Sequence, residues 1–249
     1  MTESGVYVYA IIPAGRKLPA DAVGVGSPPA ALRLVGEGQV TAVVSAAPPR
    51  LRARRRDLMA HQDLLMRLSD GSPLLPMRFG AVAPDEAAVR AQLTTSQADH
   101  LAALRHLEGS VEINVKALPA QDALAAVVAE EKDVRRLREA VRRRPDYEAN
   151  VRLGEAVATA LSRRASEAGK RLLHELTPLA RAVAAGPEVP GCALNMSFLV
   201  ERGESDAFRA AVRRFADAHR ARVELRVAGP LPCYSFVSPR GKRPTAAGV

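Results

Sequence analysis

With 249 residues, 47% of them hydrophobic and 25% charged, the chain has the length and composition of a folded protein with a substantial core rather than of a disordered one. Aromatic residues are only 4%, so the core is expected to be built from Leu, Val and Ala. The formal net charge of +9, mostly from arginine, leaves nucleic acid and acidic surfaces open as partners, although high Ala and Arg usage is also what a high-GC genome produces.

Residues 6–12, Val-Tyr-Val-Tyr-Ala-Ile-Ile, are β-branched and aromatic and end at Pro13, which predicts a strand buried on both faces. Residues 32–35 and 40–44 flank Gly36-Glu37-Gly38-Gln39 and are expected to form a hairpin. From Arg54 to Leu68 the apolar residues fall at helical spacing and stop at Asp70-Gly71-Ser72-Pro73; an extended piece, 74–82, follows. Residues 85–107 form a second predicted helix with Gly109 as its stop.

The second half opens on a strict alternation over 111–116, which predicts a strand with Val111, Ile113 and Val115 inward and a wet opposite face. A long helical region, 121–179, is interrupted at Pro145 and is expected to fold as a helical hairpin. A strand at 193–200, a helix at 205–220 with Ser205 as its N-cap and Phe208, Val212 and Phe215 on one face, and a strand at 223–227 complete the chain. The expected fold class is α+β in two domains. The first, 1–109, has a mixed sheet with helices; the second, 110–239, is a modified ferredoxin-like domain with the long helical hairpin, followed by a basic tail at 240–249.

Targeting and chemistry signals are sparse. The longest apolar run, 123–129, is far below the roughly 20 residues that span a bilayer, and the N-terminus has no basic region followed by an apolar block, so a cytoplasmic location without membrane insertion is expected. Cys192 and Cys233 are expected to be buried free thiols. Gly24-Val25-Gly26 is followed by Ser27-Pro28-Pro29, which prevents the helix N-terminus that a pyrophosphate needs, and is expected to be a loop. His61 and Asp63 point to different helix faces, as do His100 and His106, so no catalytic or metal pair forms locally. The expectation is no enzyme, no cofactor, no metal and no small-molecule substrate.

The arginine runs 50–56 and 135–144 are the case for a nucleic-acid-binding protein using arginine-rich helices. They lack interleaved aromatics for stacking, and Glu130, Glu131, Asp133 and Glu139 share the second region. A solvated face or an acidic protein partner therefore ranks above nucleic acid. A site assembled from His61 and Arg78 would instead require a deep pocket joining them.

Three segments combine unusual residues. They are Val6-Tyr7-Val8-Tyr9-Ala10-Ile11-Ile12-Pro13, then His61 followed by Leu75-Pro76-Met77-Arg78-Phe79-Gly80-Ala81-Val82, and last Gly229-Pro230-Leu231-Pro232-Cys233-Tyr234-Ser235-Phe236-Val237. In this order and spacing the chain resembles the gas vesicle protein GvpF/GvpL family from Val6 to about Val237. It departs from the family pattern at Ala10, where glycine is usual, at Leu231, where tryptophan is usual, and at Cys233, where proline is usual. The resemblance implies a minor, non-enzymatic gas vesicle protein of two α+β domains. It would bind the hydrophobic shell protein and other accessory gas vesicle proteins during nucleation or assembly, in the cytoplasm and at the gas vesicle. Its motif residues Tyr9, His61, Pro76, Arg78, Phe79, Gly80, Gly229, Pro230, Tyr234 and Phe236 become the candidate partner-contact or framework positions. Among them Arg78 is placed to pair with a carboxylate while Phe79 fills the core.

Overall fold

The computed structural model describes residues 5–120 and 122–237. The chain forms two compact units: one runs to Glu112 and takes in the chain again from Pro230, and the other is Ile113–Gly229. A sequence division at 109/110 differs from this at the end of the chain, because the closing segment joins the first unit.

In the first unit, β1 (Val6–Pro13), β2 (Arg33–Glu37) and β3 (Val40–Ala46) are followed by α1 (Arg55–Ser69). Two short strands, β4 (Leu75–Pro76) and β5 (Val82–Ala83), then lead into α2 (Glu86–Thr95) and α3 (Gln97–Leu107). The sheet order is β2-β3-β1-β4, with β5 also on β1, and the described pairings are antiparallel rather than mixed. As expected, β1 is buried along nearly its whole length.

A β-bulge in β1 decides which of its residues meet α1. Val8 pairs with Val44 and Ala10 with Val43, so Tyr9 is an extra residue with no partner on β3. One inserted residue shifts the pleat by one. The positions facing α1 therefore change from odd, Tyr7 and Tyr9, to even, Ala10 and Ile12, and all four join Leu64, Leu65 and Leu68 in one buried cluster.

The single helix expected over 85–107 is two, broken at Ser96. Thr94 and Thr95 turn their hydroxyls back onto the Arg90 and Ala91 carbonyls (3.0 and 2.9 Å), a pattern that bends helices. Gln97, which opens α3, then accepts the Gln39 N–H of the β2–β3 turn through its side chain (3.0 Å).

The second unit takes most of β6 (Ser110–Pro119), then α4 (Ala123–Glu130), α5 (Lys132–Arg143) and α6 (Tyr147–Leu176). It continues through β7 (Ala182–Ala185), β8 (Leu194–Glu201), α7 (Ser205–His219) and β9 (Val223–Leu231). The strand β7 had no sequence signal, because an alanine-rich run has low β-propensity. It completes a β-α-β-β-α-β order with sheet sequence β7-β8-β6-β9, the ferredoxin-like arrangement. Phe208, Val212 and Phe215 are the buried face of α7, as their spacing predicts. Ser205 is the first helical residue rather than the N-cap: a 3-10 turn, Arg202–Glu204, precedes it, and its N–H already bonds to the Arg202 carbonyl. The expected basic tail at 240–249 lies outside the described residues.

The predicted helical hairpin has a first arm made of two helices. Glu131, between α4 and α5, is extended (φ −83°, ψ 113°). Its carboxylate accepts from Arg163 Nη2 at 2.8 Å and Arg164 Nε at 3.0 Å, while Arg164 Nη2 reaches Glu130 at 2.9 Å. Beneath this clamp, Val127, Val134 and Ala160 form a buried cluster. The two guanidinium groups hold the Glu131 carboxyl below its ordinary value of 4.5, so its contribution is complete above that pH and lost as pH falls through the depressed value. A double-mutant cycle of Glu131→Ala and Arg164→Ala should give a coupling of about 1 kcal/mol near neutral pH in urea unfolding, fading in acid well below 4.5.

Candidate functional site

The motif residues converge on the face of β1 that α1 covers. Tyr7 and Tyr9 are fully buried with ring centroids 4.6 Å apart, and His61 of α1 stacks on Tyr9 at 5.6 Å. Phe79 closes the group edge-on, 5.9 Å from Tyr7 and 5.8 Å from His61, and Tyr234 packs against the same cluster.

The polar atoms inside this group fix one another's proton positions. His61 Nε2 lies 3.0 Å from the Met77 carbonyl, which can only accept, so Nε2 carries the proton and Nδ1 is an acceptor. The Tyr7 hydroxyl, 3.0 Å from Nδ1, therefore donates to it and accepts the Gly80 N–H at 3.1 Å. Burial pushes the Tyr7 hydroxyl up to about 12 and holds the His61 imidazole below its ordinary 6.5, so the ring is neutral. Both ring nitrogens are committed to structural bonds and His61 is only 3% exposed, which makes it a packing residue.

Tyr9 organises the Gly24-Val25-Gly26 loop. Its hydroxyl accepts the Val25 N–H at 2.8 Å and lies 2.9 Å from Ser45 Oγ. Gly24 is required for a reason unrelated to phosphate: a Cβ there would fall inside contact distance of the Tyr9 hydroxyl, with the Ala30 carbonyl at 3.0 Å. Gly26 N–H donates to Asp57, a buried carboxylate in the first turn of α1, at 3.0 Å.

The closing segment is pinned to the strand expected to have a wet face. Glu112 is buried, 4% exposed, because its carboxylate accepts both the Ser235 N–H at 2.8 Å and the Ser235 hydroxyl at 2.7 Å. The Tyr234 hydroxyl donates to Gln62 at 3.4 Å and is pushed up to about 12 by burial and by the Glu112 charge.

Tyr9, His61, Phe79, Tyr234 and the Gly80 backbone thus meet in one cluster. Pro76 lies beside it in β4, opposite Ala10, and Phe236 is buried in the 3-10 turn Tyr234–Phe236. Gly229 and Pro230 fall in β9, and Arg78 is exposed with no ion pair among the described residues. Sequence reasoning missed Tyr7, Asp57, Ser45 and Glu112 as members. The available signals were tyrosines two apart in one strand and a lone carboxylate among apolar strand residues. Cys192 is half-buried and Cys233 buried, both as free thiols. Among the described residues no group of His, Cys, Asp and Glu is placed to hold a metal, and no helix is long and apolar enough to cross a membrane.

Tyr7→Phe removes the donor to His61 Nδ1 and the acceptor for Gly80 N–H, and is expected to cost about 2 kcal/mol in urea unfolding. Gly80 has φ +92° with open space around it, so Gly80→Ala should cost about 1 kcal/mol through backbone strain alone. Because the depressed His61 value means the unfolded chain binds the extra proton, stability should be full above pH 6.5 and decline as pH falls below it. His61→Gln should flatten that decline in melts between pH 7 and 5.

The comparisons agree with this architecture. Residues 5–238 match the family model of the gas vesicle synthesis protein GvpL/GvpF. The chain is 42% identical over 235 residues to gas vesicle protein F of Streptomyces sp. strain CB03234, covering 93% of this chain and 98% of that protein. It is 33% identical to gas vesicle protein L of the same strain, covering 92% and 91%. The crystal structure of GvpF from Anabaena sp. PCC7120 superposes with a TM-score of 0.73 at 24% identity, covering 96% of this chain and all of that one. GvpF from Microcystis aeruginosa gives 0.70 at 22% identity, covering 95% and 100%, and both share the fold. Matched along its whole described length, and with residues of all three motifs in one cluster, the chain belongs to the gas vesicle synthesis protein GvpL/GvpF family.

Proposed function

We propose that this protein acts in the nucleation and assembly of gas vesicles, in the cytoplasm and at the vesicle, by binding the hydrophobic shell protein and other accessory gas vesicle proteins. The observation that carries this reading is the match of residues 5–238 to a synthesis-protein family. The geometry supports it by giving the motif residues a structural task. Tyr7, Tyr9, His61 and Phe79 form a closed framework whose polar groups satisfy one another, as suits a protein that works through its surface. The test is affinity capture from cells co-expressing the vesicle genes. The shell protein or accessory proteins should co-purify, and deletion should abolish vesicles; no capture together with normal vesicles after deletion would contradict the proposal.

A second reading, nucleic-acid binding, is favoured by one observation. On α5, Arg135, Arg138 and Arg142 are exposed at i, i+3 and i+7 with no ion pair among the described residues, whereas Arg136 pairs with Asp133 at 3.3 Å. Salt-sensitive binding to DNA or RNA would support it, and a flat response at low salt would remove it.

A further inference from the structure

The sheet of the second unit has two edges, and they are built differently. In the order β7-β8-β6-β9 one edge is β7, four residues that run into Gly186-Pro187, and the other is β9, nine residues with no proline before Pro230. A short strand stopped by proline blunts an edge, whereas an unbroken strand leaves a row of backbone N–H and carbonyl groups open to another strand. Among the described residues no strand pairs with the outer side of β9.

The side chains of β9 fall into two rows. Val223, Leu225 and Val227 form the apolar row, which passes from buried through half-buried to 40% exposed along the strand. Glu224 and Arg226 lie on the opposite face, ion-paired at 2.9 Å, with the arginine exposed.

Antiparallel pairing with a second copy about Leu225 matches both rows. Glu224 then lies opposite Arg226 of the second copy, and Arg226 opposite its Glu224, at the ~5 Å separation of directly facing side chains. Each guanidinium sits between two carboxylates, one on its own strand and one across. On the apolar face the exposed Val227 comes beside Val223 of the second copy, which is the buried end of the row. A register shifted by two sets Glu224 against Glu224 or Arg226 against Arg226, and a shift by one sets Glu224 against Leu225. The charge order therefore selects one register.

We propose that β9 pairs edge to edge with β9 of a second copy of this chain, antiparallel and centred on Leu225, so that the two four-stranded sheets become one continuous sheet. Roughly four to six backbone hydrogen bonds form across 223–227, a small interface that makes a reversible dimer rather than an obligate one. A second copy fits better than an unrelated strand because Glu-Leu-Arg read backward is Arg-Leu-Glu, its own charge complement. Self-pairing goes beyond the assembly role and does not depend on it.

The experiment is sedimentation velocity on the full chain from ~1 to ~500 µM, with hydrogen exchange of the 223–227 amides at both ends of that range. The wild type should form a dimer as concentration rises, and exchange at 223–227 should slow with it. Arg226→Glu and Glu224→Arg should each weaken the dimer by at least ~10-fold, since the two-fold doubles every like-charge contact. The double variant Glu224→Arg/Arg226→Glu should restore it, and so should mixing the two single variants, whose facing charges are opposite. Arg213→Glu, which alters an exposed arginine of α7, should pair as the wild type does. A wild type that stays monomeric throughout would overturn the proposal, as would a dimer that neither single variant weakens or that neither the double variant nor the mixture restores. Slowed exchange at 223–227 that appears only when co-expressed gas vesicle proteins are present would also overturn it, by giving this edge to a different chain.

Discussion

A tyrosine hydroxyl buried in an apolar cluster must find both a donor and an acceptor, and the Tyr7 hydroxyl finds them in the Gly80 N–H and His61 Nδ1. That requirement links three parts of the chain that are far apart in sequence. It sets the tautomer of His61, which in turn needs the Met77 carbonyl, and so it fixes where the 77–81 loop meets α1 and β1. The Tyr9 hydroxyl does the same for the Gly24 loop through the Val25 N–H. Without the bulge at Tyr9, the pleat would send Ile11 rather than Ala10 and Ile12 toward α1.

The family motifs take on physical meaning in this light. The opening Tyr-Val-Tyr supplies the two hydroxyls, His61 and Phe79 complete the ring cluster, and the closing Tyr234-Ser235 is tied back to Gln62 and Glu112. All of these residues but Ser235 are buried or half-buried. Arg78, in the central motif, is exposed and makes no ion pair among the described residues. A framework of this kind suits a protein whose work lies at its surface.

Much of the architecture was legible in the sequence because apolar periodicity is a direct consequence of burial. The buried strand at 6–12, the helix ending near Leu68 and the inward face of α7 all follow from spacing. The features that escaped depend on side chains finding partners distant in sequence. The alternation at 111–116 cannot say that Glu112 is buried, because Ser235, which makes burial affordable, lies 123 residues away. The break at Ser96 comes from threonine hydroxyls bonding back to the helix, and β7 forms from alanines because β8 offers them a partner. In the site, His61 and Phe79 could be named from a motif. Their joint dependence on Tyr7, through a hydrogen bond to His61 and a ring contact to Phe79, exists only in three dimensions.

The most direct test of this account is the protonation state of His61, read from its ring-nitrogen NMR shifts across a pH titration. The network predicts a neutral ring with the proton on Nε2, persisting at and below its ordinary 6.5. A ring protonated on Nδ1, or one that becomes charged at or above 6.5, would mean that Tyr7 and Met77 do not hold it as described, and the account of the framework would fail.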